Sequence, residues 1–444
     1  MNLKVAEFAS KLVFESLPPE VVRTLKHSFI DALACALYGS SKPWSKKLRD
    51  VVVDDNSSGN CAFPTFPRNG LPASNAALLM GAYCHAFEQD NLRFPGAGVH
   101  PGAAIMCPLL ALAQEHKLSG KQLLVSAAAG LEALSRLGVA TKHSLERRGF
   151  HAPGVIGPVG GAIACASALG ASSKQILDAS GIAASMSGGI LAFSKSKAGG
   201  MVKRLHLGRS AEASVKSAQL AMKGFEGPET AIDGHFGLLE AFCPEYEIAG
   251  LGEALGTRWE SSMICFKSFP IHITAHAPLM AAKKLLETNE INLSGIVKIR
   301  IFGSEKIVSH HRIYRPADIM QAQYSVPFCL AAGLVVDLRD PDNFNESLLN
   351  DLNIQRLLAK IELRKHDTPA KHSWHARVEV EHTDGATFDI DMAQFKGMPT
   401  NAFDETDISE KYLLLAKRIK SADRLLEDFF KLENLSKLPD FSGF

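Results

Sequence analysis

Apolar residues recur at helical spacing through most of the first 260 positions of the chain. Pro18-Pro19-Glu20 leads into VVRTLKHSFIDALACALYG, which predicts a long helix opened by proline and closed at Gly39 as a C-cap. The same spacing predicts helices over 75–86, 103–116, 121–144, 157–170, 175–187 and 209–223. From about residue 261 the period changes. IVKIRIF (296–302), ARVEVEH (376–382) and ATFDID (386–391) alternate as strands do, the last two joined by Thr383-Asp384-Gly385 as a hairpin turn, and 360–364 is a fourth strand. Helical text lies between them at 275–287 and 320–338, and helix returns at 409–432. The expectation is a mostly α protein. Its large all-helical domain is built from 1–260 plus 400–444, with a smaller α+β domain, 261–399, inserted.

Composition narrows the functional classes. A hydrophobic content of 46% with 21% charged residues describes a folded globule, and 444 residues exceed one ordinary core. The formal net charge is +1, so anion binding must be local, and there is no aromatic-basic alternation for nucleic acid. The N-terminal text lacks the apolar run of a signal peptide, and no apolar stretch of bilayer length is read, so a cytoplasmic location without membrane association is expected. The eight cysteines are scattered without a Cys-x-x-Cys pair and read as buried thiols.

Four segments concentrate polar groups in apolar text. HAFEQDNLRFPGAGVHPG (85–102) offers His85, Glu88, Asp90, Arg93 and His100. RGFHAPG (148–154) puts His151 on a turn before a helix, and KSFPIHITAH (267–276) carries Lys267, His272 and His276. The most distinctive is MVKRLHLGR (201–209), in which Lys203, Arg204, His206 and Arg209 occur without an acid, after a Gly-, Ser- and Lys-rich stretch at 188–200. Read as a basic loop meeting a helix start at Arg209, it suits an anion. His272 and His276 are spaced i,i+4, but HExxH is absent and no carboxylate follows, so no metal is assigned. GPVGGAIACASALG has neither the preceding strand nor the spacing of a dinucleotide fingerprint.

The ordered set HAFEQDNLR…HPG, RGFHAPGVIGPVG, MVKRLHLGRSAE, GFEGPETAIDGHFG, FKSFPIHITAH and AQYSVPFCLA resembles the MmgE/PrpD family, over nearly the whole chain. That family includes 2-methylcitrate dehydratase, cis-aconitate decarboxylase and iminodisuccinate epimerase. The resemblance implies a helical domain with a smaller α+β lid, a homodimer, a site in the cleft between the domains, and no cofactor. It puts the family's lysines on Lys203 and Lys267 and its histidines on His151, His100 and His272, with Tyr324 of AQYSVPFCLA among the substrate-binding residues. In the acidic motif this chain departs from the LDFDDTH of dehydratase and decarboxylase relatives. Glu88 takes the leading acid's place, Asp90 is kept, Leu92 replaces threonine, and Arg93 adds a cation.

The chemistry implied is stabilisation of carbanion or enediolate character beside a carboxylate. Lys203 and Lys267, with Arg93, His206 and Arg209, would hold the carboxylates of a small di- or tricarboxylate. His151, then His100, with His272, would move protons, and Glu88 and Asp90 would orient them or protonate a leaving hydroxyl. The leading expectation is a cofactor-free lyase, by dehydration or decarboxylation. The alternatives are an isomerase of the epimerase kind and a catalytically inactive dimeric binding protein.

Overall fold

A computed structural model describes residues 2–54, 58–196, 200–367 and 369–441, the side chains of Asn2 and His310 aside. The protein is mostly α-helical, with two small sheets among the described residues. Two compact units separate. The first comprises Met1–Ala86, Asp90–Cys265 and Asp404–Phe444, and the second Phe87–Gln89 and Phe266–Phe403.

In the first unit, the helix Pro19–Gly39 opens on proline as expected. Gly39 is its last residue but not a left-handed cap. A Cβ there would come within 1.9 Å of the Tyr83 carbonyl, so glycine serves close packing against the helix Ala73–Cys84. The helices Gly120–Ala140 and Ser173–Ser185 each begin with a capping box, Ser119 with Gln122 and Ser172 with Gln175, which satisfies two otherwise orphaned donors per helix. At the centre lies Ala152–Ala168, packed on Gly120–Ala140 and on Val202–Met222. Gly160 abuts Leu134, while Gly157 and Gly161 sit against Ser210 and Ser214, so the small residues of GPVGGAIACASALG serve helix crossing. Gly120–Ala140 is in fact long and apolar enough to cross a bilayer, which corrects the sequence reading. However, 89% of its most apolar window is buried, and it carries a buried Glu132–Arg136 pair. Among the described residues, all eight cysteines are buried thiols and none is in a disulfide.

Two predicted helices break. The 121–144 helix stops at Ala140, before Lys142 and His143 take positive φ, and 320–338 divides into Ile319–Ala322 and Val326–Val335, the second capped by Ser325 and opened by Pro327. The C-terminal helix likewise becomes Glu405–Leu415 and Ala422–Phe430, both in the first unit.

The second unit holds a four-stranded sheet. Ile296–Gly303 lies between Ile361–Lys365, parallel to it, and Ala376–His382, antiparallel; Thr387–Met392 forms the far edge. Val378 and Val380 point into the core under the helix His276–Thr288, while Arg300 pairs with Glu379 and Glu381 across the strands.

Candidate active site

Four imidazoles run in a row through the first unit. Ring centroids lie 4.8 Å apart for His85 and His100, 6.2 Å for His85 and His151, and 5.1 Å for His151 and His206. His85 caps the end of Ala73–Cys84, His100 precedes the Pro101 turn, His151 stands before Ala152–Ala168, and His206 lies on Val202–Met222. Asp90 anchors one end: its Oδ2 is 2.9 Å from Nδ1 of His85 and 2.9 Å from Nδ1 of His100. An ionised carboxylate accepts from both, so each ring carries a proton on Nδ1, and His85, kept neutral by burial, presents an unprotonated Nε2. At the other end Nδ1 of His151 and Nδ1 of His206 are 3.0 Å apart, one donating to the other, with Phe193 packed against both rings.

Lys203 and Arg204, both buried, lie in the first turn of Val202–Met222. That helix begins at Val202 rather than Arg209, so the cations sit on a helix and not on a loop. Its first turn has no acid and its N-cap no side-chain bond, leaving lysine and arginine at the positive end of the helix dipole. Of the preceding Gly-rich stretch, residues 197–199 lie outside the described residues. Gly189 does let backbone approach closely. At φ +127° it passes the His206 ring, which a Cβ would meet at 3.1 Å, and its carbonyl accepts from the His151 N–H.

The electrostatics follow from burial. Burial alone would raise the Asp90 carboxyl, but the His85 and His100 imidazoles bonded to it outweigh burial and hold it well below the carboxylate range. Burial holds His85 well below the ordinary imidazole range against the pull of Asp90, with Lys203 adding to the depression. His151 is held equally low by burial, then by its imidazole neighbours and Arg204, and His206 is lowered by burial and Lys203. A carboxylate placed beside Lys203 and Arg204 would offset the cationic contribution and raise these imidazoles.

One consequence is testable without a substrate. Burial also lowers His27 in the first unit from 6.5 to about 4. A folded-state pKa below the unfolded one gives stability that is complete above pH 6.5 and lost as the pH falls through the folded value. His27 alone accounts for about 3 kcal/mol. His85, His151 and His206 act in the same sense. Urea midpoints are expected to fall steeply from pH 6.5 down to about 4. A flat profile would mean that the fold tolerates these rings charged.

The second unit holds another cluster. Lys267 Nζ donates to the Glu88 carbonyl at 2.9 Å and lies 3.3 Å from Glu88 Oε2, while Tyr324 Oη donates to Glu88 Oε1 at 3.0 Å. Glu88 holds a positive φ of 58°, a conformation that costs a non-glycine residue about 1–3 kcal/mol. The His272 ring stacks on His311 at 4.2 Å and lies 5.1 Å from Tyr324, and His311 Nδ1 meets the Tyr324 carbonyl at 2.9 Å. His276 instead packs against Phe269 and Phe395, so the two i,i+4 histidines share no face for a metal.

Other expected roles meet different surroundings. Arg93 directs Nε and Nη2 to Glu260, at 2.9 and 2.5 Å, and is a buried ion pair rather than a third clamp. Arg209 is exposed on its helix and bonded to Glu212. Sequence reasoning left His85, Arg204 and His311 without assigned roles; for His311 no local pattern marks it. Ligand atoms of His85, Asp90 and His100 lie within 4.8 Å of one another, but two ring nitrogens on a single oxygen at 2.9 Å is hydrogen-bond geometry.

Residues 3–250 match the MmgE/PrpD N-terminal domain and residues 269–430 the MmgE/PrpD C-terminal domain. The chain is similar to the cis-aconitate decarboxylase-like protein oryM of Aspergillus oryzae, 28% identical over 96% of this chain and 92% of that protein. It is similar to cis-aconitate decarboxylase of Homo sapiens, 28% identical over 96% and 90%, and to that of Aspergillus terreus, 26% identical over 99% and 94%.

Proposed function

The chain belongs to the MmgE/PrpD family, and on that premise we propose that it is a lyase of a small polycarboxylate of the cis-aconitate kind. The observation that carries this reading is the Asp90 carboxylate bonded to Nδ1 of both His85 and His100 in a cluster that includes Lys203. Decarboxylation breaks the bond between carbon and one carboxylate. The electron pair passes into the adjoining unsaturated acid, whose remaining carboxylate becomes enediolate-like; CO2 leaves, and a proton must reach carbon. Lys203 meets the charge that develops. His151 delivers the proton, and His206, half-buried and bonded to it, reloads it from solvent. In a dehydration His100, oriented by Asp90, takes the C–H proton while His151 protonates the departing hydroxyl.

The test is incubation with cis-aconitate, citrate-like and succinate-like acids in D2O, followed by NMR and CO2 release. The expected result is loss of CO2 with one solvent deuterium incorporated at carbon, or loss of water with none gained by the product. Exchange with inversion and neither loss would replace the lyase with an isomerase. No turnover and no binding of any polycarboxylate would remove the enzymatic reading.

A further inference from the structure

The helix Glu405–Leu415 packs on Pro19–Gly39 in the first unit and brings Lys411 to Asp31, with Nζ 2.5 Å from Oδ1. Asp31 is fully buried, and the Lys411 side chain is 10% exposed. The other carboxylate oxygen, Oδ2, accepts from the backbone N–H of Asn91 at 3.0 Å. Asn91 follows Asp90 directly, and its side-chain Oδ1 accepts from Gly102 N–H at 2.8 Å, two residues beyond His100. Asn91 therefore ties both ends of the segment that presents the Asp90–His100 bond, and Asp31 fixes Asn91.

We propose that Lys411 and Asp31 form a positioning pair, which sets the Asp90 carboxylate between His85 and His100 from a helix more than three hundred residues away in sequence. Neither residue touches substrate. Lys411 keeps Asp31 an anionic acceptor, and a charge-assisted bond fixes the Asn91 amide more firmly than a neutral one. The surroundings make this electrostatic as well as mechanical. Burial pushes the Asp31 carboxyl up against the opposing pull of Lys411, and Asp90 adds to the rise. Lys411 is raised although burial opposes it, the carboxylate of Asp31 prevailing with Cys35 and Asp90 behind it. The ionisable groups facing the pair are thus Cys35 on its own helix and Asp90 on the neighbouring segment, with His85, His100 and Lys203 one step beyond. A purely structural buried pair predicts something different: replacement by neutral groups of similar shape is commonly neutral or stabilising.

This inference rests on the lyase reading only for its kinetic readout. Lys411→Met, Lys411→Arg and the double variant Asp31→Asn/Lys411→Met are compared with the wild type for kcat, KM, pH profile, urea midpoint and the downfield imidazole N–H signals of His85 and His100. For folded Lys411→Met, kcat is expected to fall roughly 10- to 100-fold with KM within about twofold, as for other outer partners of a catalytic group. The pH profile should shift and the N–H signals move or exchange away, with Lys411→Arg recovering part of each. If Lys411→Met does not fold, the double variant, which buries no charge there, is read in its place. Wild-type kinetics together with wild-type N–H signals in the folded variant would overturn the proposal. Should the wild-type protein turn over no acid, the lyase reading fails while the N–H signals still decide this one.

Discussion

Replacing Asp90 with asparagine is expected to lower kcat by roughly a thousand- to ten-thousand-fold, the order seen when a carboxylate that orients a catalytic imidazole becomes an amide. The substitution keeps the shape, so the folded state should persist. The charge-assisted hydrogen bonds do not survive it. One carboxylate oxygen now accepts from two Nδ1–H groups. An amide offers either an oxygen or an NH2 group at that point, and an NH2 facing two ring N–H groups forces at least one imidazole into the other tautomer. The Nε2 lone pair of that ring is then lost. Because Asp90 is fully buried behind the rings, KM should change little. The check is kcat and KM on the best acid from the panel, with the urea midpoint as control. A kcat within about tenfold of wild type would mean that neither His85 nor His100 depends on Asp90 for its tautomer, and the cluster would have another purpose.

That cluster was half legible in the sequence. The segment 85–102 stood out because five ionisable residues crowd a Gly-Pro turn in apolar text. His85 and His100 share Asp90 only because the chain reverses between positions 85 and 100, and no one-dimensional pattern carries that reversal. Distance in sequence hid more. Arg93 read as a clamp because its acid, Glu260, is 167 positions away. The Asp31 carboxylate was not singled out, since its lysine is 380 positions off. The helix register failed for a local reason. Val202–Met222 has no capping side chain at its start, so the usual marker was missing and the onset was placed at Arg209. The four strands of the second unit were read to within a residue or so, because alternation survives wherever one face is buried and the other paired by charge, as in Ala376–His382, whereas the two-residue strands Leu92–Arg93 and Ile264–Cys265 are too short to alternate and were missed.

Lys203→Met is the second substitution expected to act strongly, and it separates binding from chemistry. Its ammonium is buried at a helix N-terminus and depresses both His85 and His206. Losing one preorganised group that meets developing charge typically costs about a hundred- to a thousand-fold in kcat, and kcat/KM should fall further if the same lysine also holds the ground-state carboxylate. Citrate-like and succinate-like anions should raise the melting temperature of the wild type more than chloride does at equal ionic strength. An anion at a hundred times its Kd contributes about 2.7 kcal/mol, and Lys203→Met should abolish the increment. A third readout needs no ligand. Without the lysine, His85 and His206 rise toward the ordinary imidazole value, so the loss of stability below pH 6.5 becomes shallower. A dead enzyme with an unchanged acid profile and an intact anion-induced shift would put the ammonium away from both the imidazoles and the substrate, and the anion would then have to be held by Arg204.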